Sequence, residues 1–292
     1  KDGKSEAQQA AEQLNVPLVV QSFDRAYINM LRHPKHGYGK NINPCVDCKI
    51  FILKMAKKYA KEVGADFLFT GEVLGERPMS QHGPALRTIA KEAGLEGKLL
   101  RPLSAKLLPE TEAEKKGLID RNKLLGISGR GRKPQMQLAK EYGIKVYPSP
   151  AGGCLLTCEE YAKKLRDLFD NKRNISLVDV GLLRVGRHFR VGKNKIIVGR
   201  NQAENNFLTS HKAKGDYRFE LPDIVGPTTL LQGPKTKAVI QTAANLTAFY
   251  SDAKTSSVTV KYGQEALNKT IIANKPERAD VDKLRVGAET KA

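Results

Sequence analysis

The sequence has no apolar stretch close to the roughly 18 residues that a membrane-spanning helix requires. Its first residues do not show the succession of charged, apolar and small residues that marks a signal peptide. We therefore expect a cytoplasmic protein that makes no membrane contact. Cysteine is scarce, with four in 292 residues. Internal repeats and low-complexity segments are also missing, and the length suffices for two domains with a sizeable core.

Acidic residues are few compared with basic ones. The chain has 31 Asp and Glu against 50 Lys and Arg, which gives a formal net charge of +19. Such an excess attracts polyanions, nucleic acid before anionic lipid. The alternative is a basic surface that serves only solubility. The charge therefore indicates nucleic acid as the first partner to consider.

All four cysteines lie in two clusters, Cys45 with Cys48 and Cys154 with Cys158. In a cytosolic protein a C-x-x-C motif indicates metal, cluster or redox chemistry before a structural disulfide. Zinc would use four sulfurs, although the spacing of the second pair is unusual for zinc. Three cysteines would hold an iron–sulfur cluster with one open iron. One cysteine would otherwise carry a persulfide that another resolves, or the thiols would simply pack as small hydrophobes.

Strands and helices alternate up to about residue 170, which predicts an α/β fold with a parallel sheet and helices on both faces. The expected strands are 17–20, 65–71 and 98–103. The main expected helices are 5–14, 24–31, 48–63, 83–93, 135–142 and 158–169. Cys45 and Cys48 would then lie at a helix N-terminus, which favours thiolate. We also expect a rigid turn over residues 148–153.

The pattern changes after a polar segment at residues 170–174. Short β segments are expected at 187–191, 195–199, 217–221 and 257–262. Helices are expected at 175–183, 202–210 and 237–250. The second part is therefore predicted to be a smaller α+β domain.

Two loops suit anion binding. Residues 71–81 follow a strand and precede a helix, so their amides would hold an anion or nucleotide at that helix start. Residues 129–133 present three cations on a glycine-rich loop and suit phosphate contact. An ordinary surface loop is the alternative for each. His33 and His36 lie near the first cysteine pair in the sequence. We interpret them as loop histidines that face solvent and not as part of a site.

Several strings carry a resemblance to a known family. HPKHGYGKNINPCVDCK, TGEVLGERPMSQ, LRPLSAKLLP, SGRGRKPQ and PSPAGGCLLT are similar to the PP-loop ATPases that thiolate tRNA. They are most similar to the branch described as tRNA (5-methylaminomethyl-2-thiouridylate)-methyltransferase-like, over about residues 1–170. VGKNKIIVGRNQAEN, at residues 191–205, resembles the RNA-binding domain of NFACT proteins, a match extending over about 175–290.

The resemblance implies a PP-loop (adenine nucleotide α-hydrolase-like) domain over 1–171 that lacks its first strand, and an NFACT-like RNA-binding domain over 175–292. It implies a tRNA sulfurtransferase that uses ATP with Mg²⁺ to adenylate a uridine oxygen. Sulfur then displaces AMP. The sulfur would come from a donor, as a cysteine persulfide or on a 4Fe–4S cluster, with zinc as the alternative metal.

The resemblance also implies the site residues. The catalytic residues would be Cys45 and Cys154. The metal ligands would be Cys45, Cys48 and Cys154, with Cys158 auxiliary. The ATP-binding residues would be Thr70, Gly71, Glu72, Ser80 and Gln81. The RNA-binding residues would be Arg130, Arg132, Lys133, Lys193, Lys195, Arg200 and Asn201.

One feature of the family is missing from this sequence. The phosphate-binding signature Ser-Gly-Gly-x-Asp-Ser does not occur, and we expect it upstream of Lys1. Without it, the alternative is an RNA-binding protein with a degenerate nucleotide-binding domain and a structural metal site. A PP-loop enzyme acting on a small molecule is disfavoured, because a small substrate does not require a basic second domain.

Overall fold

The computed structural model describes residues 4–147 and 154–287. These residues form two compact units, here called unit 1 and unit 2, which divide between Thr157 and Cys158. The rigid turn expected over 148–153 lies outside the described residues. None of the described helices is long and apolar enough to cross a membrane.

Unit 1 is mostly helical. Its helices are α1 Glu6–Gln13, α2 Arg25–Arg32, α3 Cys45–Glu62, α4 Gly83–Glu92, α5 Glu112–Lys115 and α6 Lys133–Glu141, and its strands are β1 Leu68–Phe69 and β2 Leu99–Leu100. The two strands pair in parallel, with Leu68 opposite Leu99. The prediction of parallel pairing is confirmed for these strands.

The helix ends of unit 1 follow the capping residues seen in the sequence. Ser5 caps α1 and forms a capping box with Gln8, and Asp24 accepts hydrogen bonds from the first amides of α2. Helix α3 begins at Cys45, three positions before the predicted start. The strand expected at residues 17–20 is wrong, because this segment forms no strand and its apolar side chains are exposed.

A small apolar core joins α3, α4 and the two strands. Its members are Val46, Ile50, Leu53, Ile89, Ala93, Leu95 and Leu99. Val46, Ile50 and Leu53 recur at three- and four-residue spacing, so one face of α3 is buried. This face fixes the rotation of α3 and therefore the direction of its first turn, which carries Cys45 and Cys48.

Unit 2 contains a larger sheet. Its helices are α7 Glu159–Asn171, α8 Leu177–Leu182, α9 Gln202–Ser210, α10 Lys237–Phe249 and α11 Arg278–Leu284. Its strands are β3 Arg187–Val191, β4 Asn194–Val198, β5 Tyr217–Glu220, β6 Thr229–Gln232, β7 Ser257–Gly263 and β8 Lys269–Asn274. The strand order is β3-β4-β6-β5-β7-β8, and each neighbouring pair is antiparallel.

The middle of this sheet is covered on both faces. Ile196 and Val198 of β4 join a large apolar cluster that includes α10. Ile197, between them, packs on the opposite side with Leu182 of α8 and Leu208 of α9. Alternate residues of a strand point to opposite faces, so β4 is buried along its whole length. The chain thus combines a small parallel sheet in unit 1 with a separate antiparallel sheet in unit 2.

Candidate functional site

The first turn of α3 presents two thiols to hydroxyl groups from other segments. The Sγ of Cys45 donates a hydrogen bond to Oγ of Ser80 at 3.2 Å, and the Sγ of Cys48 lies 3.3 Å from the Tyr27 hydroxyl. Both cysteines are half-buried, and Ser80 is fully buried. The structure therefore brings Cys45, predicted to be catalytic, against Ser80, predicted to bind the nucleotide.

The pKa of the Cys48 thiol is raised. Burial is the main cause, and nearby Cys154 and Cys45 add to it, while the Tyr27 hydroxyl and Lys49 oppose it. The expectation that the helix N-terminus favours thiolate is therefore wrong for Cys48, because burial outweighs the helix end. The same interaction shows that Cys154 lies close to Cys48.

Cys154 is exposed, in a segment that is tied to the loop preceding α3. Ile42 donates its amide to the Leu156 carbonyl at 3.3 Å, and Asn41 donates its side-chain amide to the Thr157 carbonyl at 2.7 Å. The Thr157 hydroxyl donates to the Cys154 carbonyl at 2.6 Å. These bonds hold Cys154 beside the first cysteine pair.

The described residues do not include a preformed metal site. Over 4–147 and 154–287, no group of three or more His, Cys, Asp or Glu side chains is arranged to hold a metal ion. The 4Fe–4S cluster and the zinc alternative stay predictions. Cys158, the auxiliary cysteine, is exposed at the N-cap of α7 in unit 2.

A buried carboxylate that the sequence reasoning missed orders the loop before α3. Asp47 accepts the backbone amides of Lys35 and His36, each at 3.0 Å. The side chains of Lys35 and His36 in turn contact Glu92. His36 therefore makes its side-chain contact with this carboxylate and not with the cysteines. An Asp in the first turn of a helix is the signal that identifies such an anchor.

Glu72 is the centre of a buried charge network beside the cysteines. It accepts hydrogen bonds from Lys49, from Arg101 Nε at 3.0 Å and from the Thr70 hydroxyl at 3.1 Å. Burial alone would raise the pKa of Glu72, but Lys49 and Arg101 lower it. Sequence reasoning missed both cations. Two sequence features could have identified them. Lys49 directly follows the C-x-x-C motif, and Arg101 begins the Arg-Pro-Leu segment at the end of a predicted strand.

A cavity of about 380 Å³ opens next to this network. It is lined by Lys49, Ile52, Leu53, Thr70, Gly71, Glu72, Arg77 and Gln81. The Gln81 Oε1 is buried without a hydrogen-bond partner among the described residues. Four of the five residues predicted to bind ATP thus lie at one cavity, and the fifth, Ser80, precedes Gln81 and contacts Cys45.

Two loops are joined at the rim of this region. Gly75 has a φ of +79°, and a Cβ there would lie 3.3 Å from the Gly129 nitrogen, so the position favours glycine. Gly129 donates its amide to the Leu74 carbonyl at 2.7 Å. Arg132 pairs with Glu76 at 2.7 Å. The cationic loop is therefore fixed to the loop that follows β1, which leaves Arg130 and Lys133 exposed beside it.

The predicted RNA-binding residues of unit 2 have different environments. Lys193 is exposed in the turn between β3 and β4, and Arg200 is half-exposed while pairing with Glu204. Asn201 caps α9 by accepting the Glu204 amide at 3.0 Å. Lys195 is buried and bonds to Asp167 at 3.0 Å, and burial lowers its pKa to about 8. The prediction that Lys195 contacts RNA is therefore wrong, because its side chain is inside the protein and already pairs with Asp167.

Comparisons with known proteins agree with both resemblances. Residues 5–107 match the family model described as Thiamine biosynthesis protein (ThiI), and residues 186–283 match the NFACT protein RNA binding domain. The predicted likeness to tRNA-thiolating PP-loop proteins and to NFACT proteins is thus confirmed. Each match covers about a third of the chain.

Curated protein sequences give no match to this chain. Among solved structures, the C-terminal part of the fibronectin/fibrinogen-binding protein from Streptococcus suis is similar. Its identity is 17%, with 82% of this chain and 94% of that chain covered, and its TM-score is 0.32. A likeness at that TM-score supports no conclusion about fold or function.

Proposed function

We propose that this protein is an ATP-dependent tRNA sulfurtransferase. The observation that carries the proposal is the contact between Cys45 and Ser80, which sets a thiol directly beside the candidate nucleotide cavity. Cys48 and Cys154 lie close to it. The matches to ThiI and to an RNA-binding domain supply the substrate class.

The cavity beside Glu72 suits a nucleotide in part. Lys49 and Arg77 bring positive charge, and the unpartnered Gln81 Oε1 would accept a hydrogen bond from an exocyclic amine. ATP, when bound, would supply the adenylyl group that turns a uridine oxygen into a leaving group. Thr70, Gly71 and Gln81 would orient it, whereas Glu72 is already neutralised by two cations and would hold the cavity wall.

The thiols support a persulfide route. A persulfide on Cys45 or Cys154 would be attacked at its inner sulfur by the other thiolate. The terminal sulfur then leaves as hydrosulfide and displaces AMP from the activated uridine, while the two cysteines form a disulfide. An external dithiol must reduce that disulfide, and a sulfur donor must reload the persulfide. Because burial raises the pKa of Cys48 and keeps this thiol neutral, Cys48 takes no part in the transfer step itself.

RNA binding is proposed for the predicted cations that are exposed, which excludes the buried Lys195. Arg130 and Lys133 in unit 1, with Lys193 and Arg200 in unit 2, would contact phosphates of tRNA. Arg132 and Asn201 would act indirectly, because each fixes its own loop or helix start. The match of residues 186–283 supports this assignment.

A second candidate function is an RNA-binding protein whose nucleotide domain is degenerate. It is favoured by the hydrogen bonds of Glu72 with Lys49 and Arg101, which neutralise this carboxylate within the protein. Under this alternative, the cysteines would hold a structural metal and the cavity would bind no ATP.

The Cys154→Ala variant tests the proposal. We expect it to abolish thionucleoside formation in tRNA incubated with ATP, a persulfide as donor of sulfane sulfur and a dithiol reductant, measured by mass spectrometry of digested nucleosides. Binding of tRNA should be unchanged. Cys158→Ala, the matched control at the other cysteine of the pair, should retain activity. Iron, sulfide and zinc analysis after anaerobic purification separates the persulfide route from the metal alternatives.

Two outcomes would contradict the proposal. Unchanged thiolation by Cys154→Ala would remove Cys154 from the mechanism. A wild-type protein that binds tRNA, binds no ATP and forms no thionucleoside would support the second candidate.

A further inference from the structure

Unit 2 contains a cavity of about 360 Å³ between the start of α7, the start of β3 and residues 285–287. Its charged lining residues are Glu160, Lys163, Lys164, Arg187, Arg200 and Arg285. Five of these six side chains are basic. A cluster of this kind is costly to keep without anions, because like charges at short range repel one another.

Two of the cations are neutralised within the protein. Lys163 pairs with Glu159 at 2.9 Å, and Arg200 pairs with Glu204. The other three, Lys164, Arg187 and Arg285, form no ion pair with a carboxylate in residues 4–147 and 154–287. The cavity therefore carries more positive charge than its acidic neighbours balance.

Neutral groups hold the three remaining cations in place. Lys164 donates to the carbonyls of Leu183 at 3.3 Å and Gly186 at 3.2 Å. Gly186 has a φ of +73°, and a Cβ there would lie 2.9 Å from the Val198 oxygen, so glycine lets the chain approach β4. These bonds occupy two of the three donors of the Lys164 ammonium.

The two arginines share one aromatic ring. The Arg187 guanidinium lies over the Tyr250 ring at 4.4 Å, and Arg285 Nη2 donates to the Tyr250 hydroxyl at 3.2 Å. Arg285 Nε is buried without a hydrogen-bond partner in the described part of the chain. A buried donor without a partner is unfavourable, and a bound acceptor would remove that cost.

The electrostatics of the cavity favour an anionic ligand. Burial lowers the pKa of Lys164, and Arg200 lowers it further, against the opposing charges of Glu160 and Glu204. Burial also lowers the pKa of Arg187, with Arg285 and Arg200 adding to the effect. His188, which also lines the cavity, is neutral, because burial lowers its pKa well below the ordinary range.

We propose that this cavity is a binding site for a phosphate group, held by Lys164, Arg187 and Arg285. Guanidinium groups present donors in a planar fork that matches phosphate oxygens, and the Lys164 ammonium adds a point charge. The source of the phosphate rests on the proposed function, since RNA carries such groups along its backbone and at its 5′ end. The site itself requires only the cavity and its cations.

The first test uses inorganic phosphate and the full chain. We expect phosphate titration, followed by calorimetry, to show one site in the wild type. Arg285→Gln and Lys164→Gln should each weaken it about tenfold or more, since each removes a charge-assisted hydrogen bond. Lys254→Gln, which removes one exposed charge from the same unit, is the matched control and should bind as the wild type does.

Lys164 also bonds two carbonyls, so circular dichroism and thermal melting must show that its variant is folded. Arg285→Gln keeps the proposal testable if the Lys164 variant is not. The absence of phosphate binding by the wild type would overturn the proposal, as would unchanged binding by a folded Arg285→Gln variant.

The second test uses two RNA strands of one sequence, with a 5′-phosphate or a 5′-hydroxyl. A preference for the phosphorylated strand that Arg285→Gln removes assigns the pocket to the RNA terminus. Equal affinities that Arg285→Gln lowers equally assign it to the backbone. If the Arg285→Gln variant no longer binds inorganic phosphate but binds both RNA strands as the wild type does, the assignment of the pocket to RNA is overturned. If the wild type binds phosphate but no RNA, the pocket stands and the proposed RNA-binding function fails.

Discussion

The two units are held together in different ways. Unit 2 is built on a six-stranded sheet in which β4 is buried along its whole length, with Phe189 and Phe219 fully buried in one apolar cluster. The parallel sheet of unit 1 has two short strands, and Phe69 of β1 is 66% exposed. Apolar packing therefore dominates in unit 2.

Unit 1 has the smaller apolar core, and buried polar bonds hold the segments around its candidate site. Glu72 holds Lys49 and Arg101, Asp47 holds the loop before α3, and Ser104 accepts the Leu74 amide at 2.9 Å. These are the residues that position the cysteines and the adjacent cavity. The comparison teaches that the candidate active site depends on directional polar contacts, which single substitutions disrupt without opening an apolar core.

The largest expected effect is on the core of unit 2. Phe219→Ala removes a fully buried ring and should lower the free energy of unfolding by about 3–5 kcal/mol, because it removes buried apolar area and leaves a cavity. The matched change in unit 1 is Phe69→Ala, which should stay within about 0.5 kcal/mol because the ring is exposed. Urea unfolding followed by circular dichroism measures both. Equal losses would show that the two units do not differ in this way.

The next effect is on the charge network of unit 1. Glu72→Gln leaves Lys49 and Arg101 without their counter-charge, and we expect a loss of about 3 kcal/mol. Glu62→Gln, at an exposed pair on α3, should cost less than about 0.5 kcal/mol. A Glu72 variant as stable as the Glu62 variant would show that Glu72 is not the anchor of this region.

The same network predicts a pH dependence. The pKa of Glu72 is lower in the folded protein than in the unfolded chain, so its stabilising contribution is present above the unfolded pKa. The contribution is lost as the pH falls through the folded pKa. Acidification should therefore destabilise the wild type more than Glu72→Gln, measured as the urea midpoint at a series of pH values.

Sequence patterns predicted the elements that have strong local signals. Helix α9 and strand β3 were predicted with the observed bounds, because Asn201 caps the helix and the apolar residues Phe189 and Val191 alternate with Arg190 in the strand. The parallel pairing of β1 and β2 also followed from strand–helix alternation. Strands β6 and β8 were missed. The first three residues of β6 are buried and follow Gly226-Pro227-Thr228, whereas β8 has mostly exposed residues, so neither strand alternates clearly.

The structure brings several of the predicted site residues into one region, whereas their hydrogen bonds and burial do not follow from the sequence. C-x-x-C spacing and the loop after β1 pointed to Cys45, Ser80 and Gln81, which the fold brings to one region. Nothing in the local pattern shows that Lys195 is buried against Asp167, because that contact joins α7 to β4 across 28 positions of sequence. Burial is set by such tertiary contacts, which also raise the pKa of Cys48.

The smallest expected effect separates the contributions of the two units to RNA binding. Lys133→Gln in unit 1 and Lys193→Gln in unit 2 should each weaken tRNA binding a few-fold, and each should reduce the slope of log affinity against log salt by about 1, since one phosphate contact is lost. Lys61→Gln, at the exposed end of α3, is the control and should leave the slope unchanged. Filter binding at several salt concentrations measures all three. A change confined to Lys193→Gln would assign the RNA surface to unit 2 alone, and unit 1 would then approach RNA only through its target uridine.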